Sequence, residues 1–230
     1  MTQNAMDLAH RADEQERAAL YQAGAAVREA FFENTSEAKR TAAAALALSK
    51  GRDVEYGAAL ALSLSGDSSR SETLAKDLER RFPEDTSVRF SYLPTIRALS
   101  SLHHGEPAKA IELLQIAVPF ELAEPASGGS EGNLFLGALY PIYVRGEAYL
   151  NAHRGVQAAA EFQKILDHRG IVVSDPVGAM ARLQLGRAFA LSGDKAKAKT
   201  AYQDFLTLWK DADSDVPILK QAEAEYANLL

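Results

Sequence analysis

The sequence predicts an all-α protein in which pairs of helices repeat along the chain. Two glycines 40 residues apart carry this prediction: Gly146 is followed sixteen positions later by Phe162, and Gly186 is followed at the same distance by Tyr202. A small residue lets two helices approach closely, and an aromatic side chain of the next helix fills the space beside it. A period of this length is typical of helical hairpins stacked into a solenoid.

Glycine followed by an acidic residue marks the predicted turn inside several pairs, at Gly66, Gly105 and Gly193. Glycine suits the end of a helix because it adopts a left-handed backbone at no steric cost. The position that matches Gly105 in the next pair is occupied by His153. Between the turns, apolar residues recur at helical spacing. The predicted helices cover residues 6–34, 37–50, 53–65, 68–81, 87–103, 108–118, 139–152, 156–167, 177–191, 195–210 and 217–229.

Two irregular segments and one proline interrupt this pattern. Pro94 lies inside the fifth predicted helix, so we expect that helix to kink there or to begin nearer Ser91. Residues 119–133 are rich in glycine, serine and proline and predict an inserted surface loop. Residues 168–174 form a second, shorter insertion. Both insertions fall between helix pairs, so stacking continues on either side and residues 1–230 are predicted to form one solenoid domain.

The composition argues against several classes of protein. A formal net charge of −6 disfavours a general nucleic-acid surface. The chain has no cysteine, and therefore no disulfide or thiolate metal site, which fits the cytoplasm. No basic segment followed by an apolar run stands at the N-terminus, and no apolar stretch approaches the roughly 20 residues needed to cross a bilayer. We therefore expect a cytoplasmic protein that binds neither nucleic acid nor a membrane.

The repeated segments resemble tetratricopeptide repeats. The strongest match runs from Gly146 to Leu150 and continues through residues 158–162; an equally good one combines residues 185–189 with Ala198 and Tyr202. Two earlier helix pairs match more weakly. The resemblance implies a right-handed α-α superhelix, a solenoid of about five helix pairs with a C-terminal capping helix. It also implies a protein-interaction scaffold without catalytic activity.

A narrower resemblance concerns the C-terminal part of the chain. Residues 201–205, 209–213 and 218–222 look like the ends of repeat regions attached to bacterial serine/threonine kinases, and similar tails follow some transcriptional regulators. This resemblance implies an alternative function, in which the chain is the sensory or regulatory part of a bacterial signalling protein. No kinase motif lies in these residues, so no catalytic residue is implied.

The tetratricopeptide resemblance also implies a binding face, because the first helix of each pair lines the concave surface in that family. Tyrosines with a few charges on such a face would suit an extended peptide or a partner helix. The alternative is that some of these rings only pack between neighbouring repeats. The lysine and asparagine clamp that some family members use to hold a C-terminal carboxylate is missing here. The expected partner-binding residues are Tyr56, Leu60, Tyr92, Leu99, Tyr140, Tyr143, Glu147, Leu183 and Arg187.

The sequence gives little support for catalysis or for metal and cofactor binding. It contains no metalloprotease histidine pair, phosphate-binding glycine-lysine loop or nucleophile elbow. His103 and His104 stand at a predicted helix C-terminus, where a cationic side chain complements the helix dipole, so a structural role is favoured over metal binding. We therefore expect no enzyme, no cofactor and no metal. A third hypothesis is an all-α enzyme with a cleft near residues 119–133.

Overall fold

The computed structural model describes residues 2–123, 139–173 and 175–229, and every regular element within those residues is helical. Most helices pack on their neighbours along the chain. The α-helices of these residues are α1 (Thr2–Arg11), α2 (Gln15–Phe31), α3 (Thr35–Leu48), α4 (Arg52–Leu64), α5 (Ser68–Arg81), α6 (Leu93–His103), α7 (Pro107–Leu113), α8 (Tyr140–Asn151), α9 (Gly155–Asp167), α10 (Arg169–Val172), α11 (Val177–Leu191), α12 (Lys195–Leu208) and α13 (Pro217–Ala227).

The prediction of one long helix over residues 6–34 is wrong. The chain breaks between α1 and α2 at Asp13, which has a φ angle of 59°. Aspartate is one of the few residues besides glycine that tolerates this left-handed conformation. The amide of Glu14 then donates to the carbonyl of Ala9 at 2.9 Å, which closes the end of α1. Residues 2–11 therefore form a separate helix.

Pro94 is accommodated by a change in helix type. Residues Val88–Tyr92 form a π-helix, and α6 begins directly after it, one residue before Pro94. In an unbroken α-helix over residues 88–103, proline at position 94 would lack the N–H for the helical hydrogen bond, and its ring would clash with the carbonyl four residues earlier. The hydroxyl of Thr95 donates to the carbonyl of Ser91 at 2.7 Å and so satisfies one acceptor near the proline. The expected irregularity is therefore a wider turn that precedes the α-helix.

The predicted helix over residues 108–118 and the loop after it are only partly described. α7 is followed by a 3₁₀-helix, Leu114–Ala117, and then by turns up to residue 123. Residues 124–133 of the predicted loop lie outside the described residues. In the second predicted insertion, residues 169–172 form the one-turn helix α10.

The predicted close crossings are confirmed at both repeat glycines. A Cβ atom placed on Gly146 would lie 2.6 Å from two carbons of the Phe162 ring, and one placed on Gly186 would lie 2.9 Å from the Tyr202 ring. α8 therefore meets α9, and α11 meets α12, at distances that only glycine permits. The aromatic ring occupies the space at each crossing, as the repeat predicted.

One type of turn closes the successive hairpins. Gly66, Gly105 and Gly193 have φ angles of 77°, 73° and 84°, and His153 occupies the same place with a φ of 55°. In each case the amide of the following residue donates to a carbonyl five positions earlier, at 2.8–2.9 Å, which is the Schellman pattern for ending a helix. Glu33, with a φ of 64°, makes the same turn between α2 and α3.

The turn between α2 and α3 reaches the C-terminal half of the protein. The ring of Phe31 meets that of Tyr143 edge-on at 5.2 Å, and Phe32 meets Trp209 edge-on at 4.8 Å. The side chain of Gln221 in α13 donates a hydrogen bond to Glu33. One large apolar core consequently extends from α2 to α13. The end of α2 therefore packs against α8 and the residues that follow α12.

Candidate functional site

The structure divides the nine predicted partner-binding residues into two groups. Five lie in the interior, at most 7% exposed, and are absent from the walls of the cavities described below: Tyr56, Leu60, Tyr92, Tyr140 and Leu183. Tertiary packing covers these five side chains, because α2 lies against α4 and the end of α2 lies against α8. Their role in partner binding stays a prediction. The alternative role weighed above, packing between helices, is the one these side chains have.

Hydrogen bonds show that the buried tyrosines are parts of the scaffold. The rings of Tyr56 and Tyr92 stack in parallel with centroids 3.6 Å apart, and the Tyr92 hydroxyl donates to Asp53 at 2.8 Å. The Tyr140 hydroxyl donates to Asp175 at 2.7 Å. The Tyr92 bond joins the π-helix to α4, and the Tyr140 bond joins α8 to the residues just before α11. Tyr56 contributes through its stacked ring, so the three rings stabilise the packing of the helices rather than face solvent.

The other four predicted residues meet at one cavity. Leu99, Tyr143, Glu147 and Arg187 line a space of 440 Å³ enclosed by α6, α8 and α11 on one side and by the end of α2 on the other. This size lies within the range of about 300–1,000 Å³ that is usual for ligand pockets. We call it the inner cavity. It is the candidate functional site because it combines apolar walls with a small number of polar groups.

The polar groups of the inner cavity form a connected network. The side-chain amide of Gln184 donates to the hydroxyl of Tyr143 at 3.0 Å and to the carboxylate of Glu147 at 3.2 Å. Arg187 binds Glu225 of α13 through two hydrogen bonds of 2.8 Å, one from Nε and one from Nη2. This two-pronged geometry fixes the guanidinium. The charge of Arg187 is thus matched within the protein.

Glu147 has a different electrostatic environment. No salt bridge involves its carboxylate among the described residues, and burial raises its pKa to about 7. The nearby carboxylate of Glu33 raises that pKa further, whereas the charge of Arg187 lowers it. Burial also raises the pKa of Tyr143 well above its usual value, so its hydroxyl stays protonated beside Glu147. A carboxyl group in such a setting changes its charge near neutral pH.

Sequence reasoning missed Gln184 and Glu225 of this network, and Glu33 beside it. Gln184 lies three positions before Arg187 on α11, and residues with this spacing share one helix face, so the helical period could have identified it. Glu33 comes from the turn after α2, and no local pattern places that turn beside α8 and α13.

A second group of charged side chains holds the turns that follow the 3₁₀-helix against α8 and α9. Arg145 of α8 binds Glu121 at 2.8 Å and Glu161 of α9, at 2.6 Å, and Lys164 also contacts Glu121. The side chains of Arg145 and Glu121 are 4% and 0% exposed. Such buried pairs are costly to break from one side. These contacts give Arg145 a structural role between α8, α9 and the turn at Glu121.

A larger cavity of 1030 Å³ lies on another face, between the end of α2, the segment around α10 and the start of the α12–α13 connection. Phe32 and Trp209 form its apolar part, and charges of both signs surround it, including Arg182 and Asp213. None of the nine predicted residues lines it. Because its charges are mixed, it does not indicate a class of ligand.

Two further observations concern metals and membranes. Within the described ranges, no group of three or more potential metal-binding side chains comes together, and His103 contacts Ser68 at 3.3 Å. In the same part of the chain, each helix is too short or too polar to cross a bilayer.

Comparison with known proteins returned no match, either to a protein-family model or to a curated protein.

Proposed function

We propose that this protein is a tetratricopeptide-like array of helix pairs that acts as a non-catalytic protein-interaction module. Two kinds of observation support the repeat architecture. The same helix-ending turn recurs at Glu33, Gly66, Gly105, His153 and Gly193. A glycine crossing filled by an aromatic ring also recurs at a spacing of 40 residues. Regular hairpins of this kind bury a continuous core and leave one side of the array for a ligand.

The inner cavity is the observation that carries the interaction role. Its walls include Leu99, Leu102, Leu150 and Met180, and its polar groups converge at Glu147. A cavity of 440 Å³ has room for side chains of a partner segment but not for a folded domain. The partner segment therefore binds along the inner side of the array and inserts one or a few side chains into this space. Apolar burial supplies the affinity, and the polar network supplies the orientation.

A cavity-filling substitution tests this proposal. Leu102→Trp places a bulky ring in the inner cavity, whereas Val156→Trp adds the same ring at a position that is 72% exposed on α9. Proteins that co-purify with the wild-type chain from its native host are quantified by mass spectrometry. We expect a partner that is retained by Val156→Trp and lost with Leu102→Trp, at unchanged helical content by circular dichroism. The same set of proteins with both variants, or no specific partner, contradicts the proposal.

A second candidate function is the regulatory part of a bacterial signalling protein. The sequence resemblance of residues 201–222 to the tails of kinase-associated repeat regions favours it. In that case the inner cavity transmits the presence of a ligand to a catalytic or DNA-binding domain. Finding such a domain in the same reading frame supports this candidate, and its absence from a complete reading frame contradicts it.

A further inference from the structure

We infer that the inner cavity recognises a basic side chain, lysine or arginine, that a partner segment inserts between its apolar walls. This inference rests on the proposed interaction function and names the chemistry of the partner. It follows from three properties of the cavity: which charges are unmatched, where they lie, and what surrounds them.

The charges of the cavity wall are unbalanced. Arg187 is the cationic side chain nearest to the network, and Glu225 binds it through two hydrogen bonds of 2.8 Å. Glu147 and Glu33 both line the cavity, and among the described residues neither takes part in a salt bridge. Glu33 accepts a hydrogen bond from Gln221, which is neutral. Two carboxylates and one guanidinium therefore line the cavity, and the guanidinium is already held by Glu225, so negative charge is in excess there.

The walls suit the stem of a long basic side chain. Leu99, Leu102, Leu150 and Met180 surround the space next to Glu147. Lysine and arginine bury their methylene stems along apolar surfaces while the charged head reaches a polar group. An ammonium or guanidinium at Glu147 gains a charge-assisted hydrogen bond in a partly desolvated place, where such bonds are strong.

The same geometry selects against other side chains. A carboxylate would meet Glu147 and Glu33 as like charges, which costs free energy at short range. A purely apolar side chain would bury Glu147 further and offer it no hydrogen bond beyond the one from Gln184, so it would bind only with the carboxyl protonated. Selectivity for a cation thus has both an attractive and a repulsive part.

The ionisation of Glu147 gives this recognition a pH dependence. The groups that face its carboxyl are Glu33 from the end of α2, Tyr143 on α8, Gln184 and Arg187 on α11, and, across the cavity, His103 on α6. Its pKa of about 7 means that half of the carboxyl groups are neutral at that pH. Only the ionised form attracts the cation, so affinity rises about tenfold from pH 6 to pH 8 by proton linkage.

Met180 provides a reporter inside the cavity. The chain has three methionines, and Met180 lines the inner cavity at 2% exposure, so labelling of the methionine methyl groups yields few signals to assign. The probes are n-hexylammonium, 1-hexanol and hexanoate, which share one apolar chain and differ in charge. Titrations at pH 8 follow the Met180 methyl signal of the full chain.

We expect n-hexylammonium to shift the Met180 signal with saturation, 1-hexanol to bind at least tenfold more weakly, and hexanoate to give no saturable shift. Glu147→Gln removes the charge at nearly constant volume and should weaken the binding of n-hexylammonium about tenfold. Glu112→Gln, at an exposed position of α7 outside the cavity, should leave the affinity unchanged. Equal responses to the three probes, or an unchanged affinity in Glu147→Gln, would overturn the inference.

The test separates this inference from the interaction function. A co-purifying partner that is lost with Leu102→Trp but kept by Glu147→Gln leaves the interaction module standing and refutes the basic side chain. If n-hexylammonium shifts the Met180 signal but the co-purification experiment finds no specific protein partner, the cation site is supported and the interaction module is refuted.

Discussion

Replacing Gly146 with alanine perturbs the crossing of α8 and α9 by a single methyl group. That methyl carbon would lie 2.6 Å from two carbons of the Phe162 ring. Carbon atoms in a packed core are normally separated by about 3.5–4.0 Å, so the helices or the ring must move by roughly 1 Å. The Phe162 side chain is 0% exposed and lies inside the core, so it has no empty space to enter.

The expected change in stability is the balance of two effects. Overpacking of a core costs about 1–3 kcal/mol. Alanine gains about 1 kcal/mol over glycine in a helix interior because its backbone loses less entropy. The close approach at a fully buried ring favours the upper part of the overpacking range, so Gly146→Ala should reduce the free energy of unfolding by about 1–2 kcal/mol. For a chain of 230 residues this lowers the melting temperature by about 2–8 °C.

Urea unfolding followed by far-ultraviolet circular dichroism measures this change, with the slope of the transition as a check on two-state behaviour. Gly186→Ala should behave in the same way, since its methyl group would lie 2.9 Å from Tyr202. Gly170→Ala is the matched control, because nothing lies within 4 Å of a methyl group there. If Gly146→Ala stabilises the protein as Gly170→Ala should, the two helices do not cross as closely as described.

Three further predictions concern buried polar groups. Arg145→Met removes the two hydrogen bonds from the guanidinium to the buried carboxylate of Glu121, leaves it with Lys164, and should cost about 3 kcal/mol, measured by urea unfolding. Tyr92→Phe removes the 2.8 Å hydrogen bond to Asp53 and should lower the melting temperature, at a cost of about 1–2 kcal/mol. Burial raises the pKa of Glu147 from 4.5 to about 7, so its contribution to stability is complete below pH 4.5 and is lost as the pH rises through 7. Glu147→Gln stays neutral at every pH. Its free energy of unfolding should therefore exceed that of wild type by an amount that grows from about 1 to about 3 kcal/mol between pH 5 and pH 8, measured by urea unfolding at each pH.

Each of these has a control in the same chain. Arg97→Met breaks a pair with Glu79 in which the two side chains are 33% and 52% exposed, and it should change stability by less than about 1 kcal/mol. An equal loss in Arg145→Met and Arg97→Met would contradict the role of burial. Thr95→Val, which removes a hydroxyl bonded to the carbonyl of Ser91 in the preceding π-helix, is a comparison for Tyr92→Phe. A pH-independent difference between Glu147→Gln and wild type would show that this carboxyl ionises normally.

Helices and their ends were predictable because local interactions decide them. The spacing from Gly105 indicated that His153 would replace a turn glycine, and its φ angle of 55° confirms this. Near Glu33 the helix end was predicted, at residue 34, but not the left-handed residue that makes it. The turn at Asp13 was missed, because aspartate tolerates a left-handed backbone but marks a turn less clearly than glycine does. α1 and α2 were consequently predicted as one helix.

The binding face could be predicted only in part, because long-range packing determines which surface stays open. Leu99, Tyr143, Glu147 and Arg187, four of the residues expected on one face, line a common cavity. The buried tyrosines were expected on the same face, but α2 and neighbouring hairpins cover them. Amphipathic rings at regular spacing are equally compatible with a groove and with a core. Only the position of the first hairpin, α2 and α3, decides whether such rings line a groove or lie in the core.

The hydrogen bond between Gln221 and Glu33 joins positions that are 188 residues apart in the chain. In an open array each hairpin touches only its neighbours, so terminal units fray first and stability is nearly a sum over units. Here the opposite ends support each other, which should make unfolding a single concerted transition. It should also slow folding, because distant segments must meet before either end is secured. Removal of α13 should therefore loosen α2, at the other end of the chain.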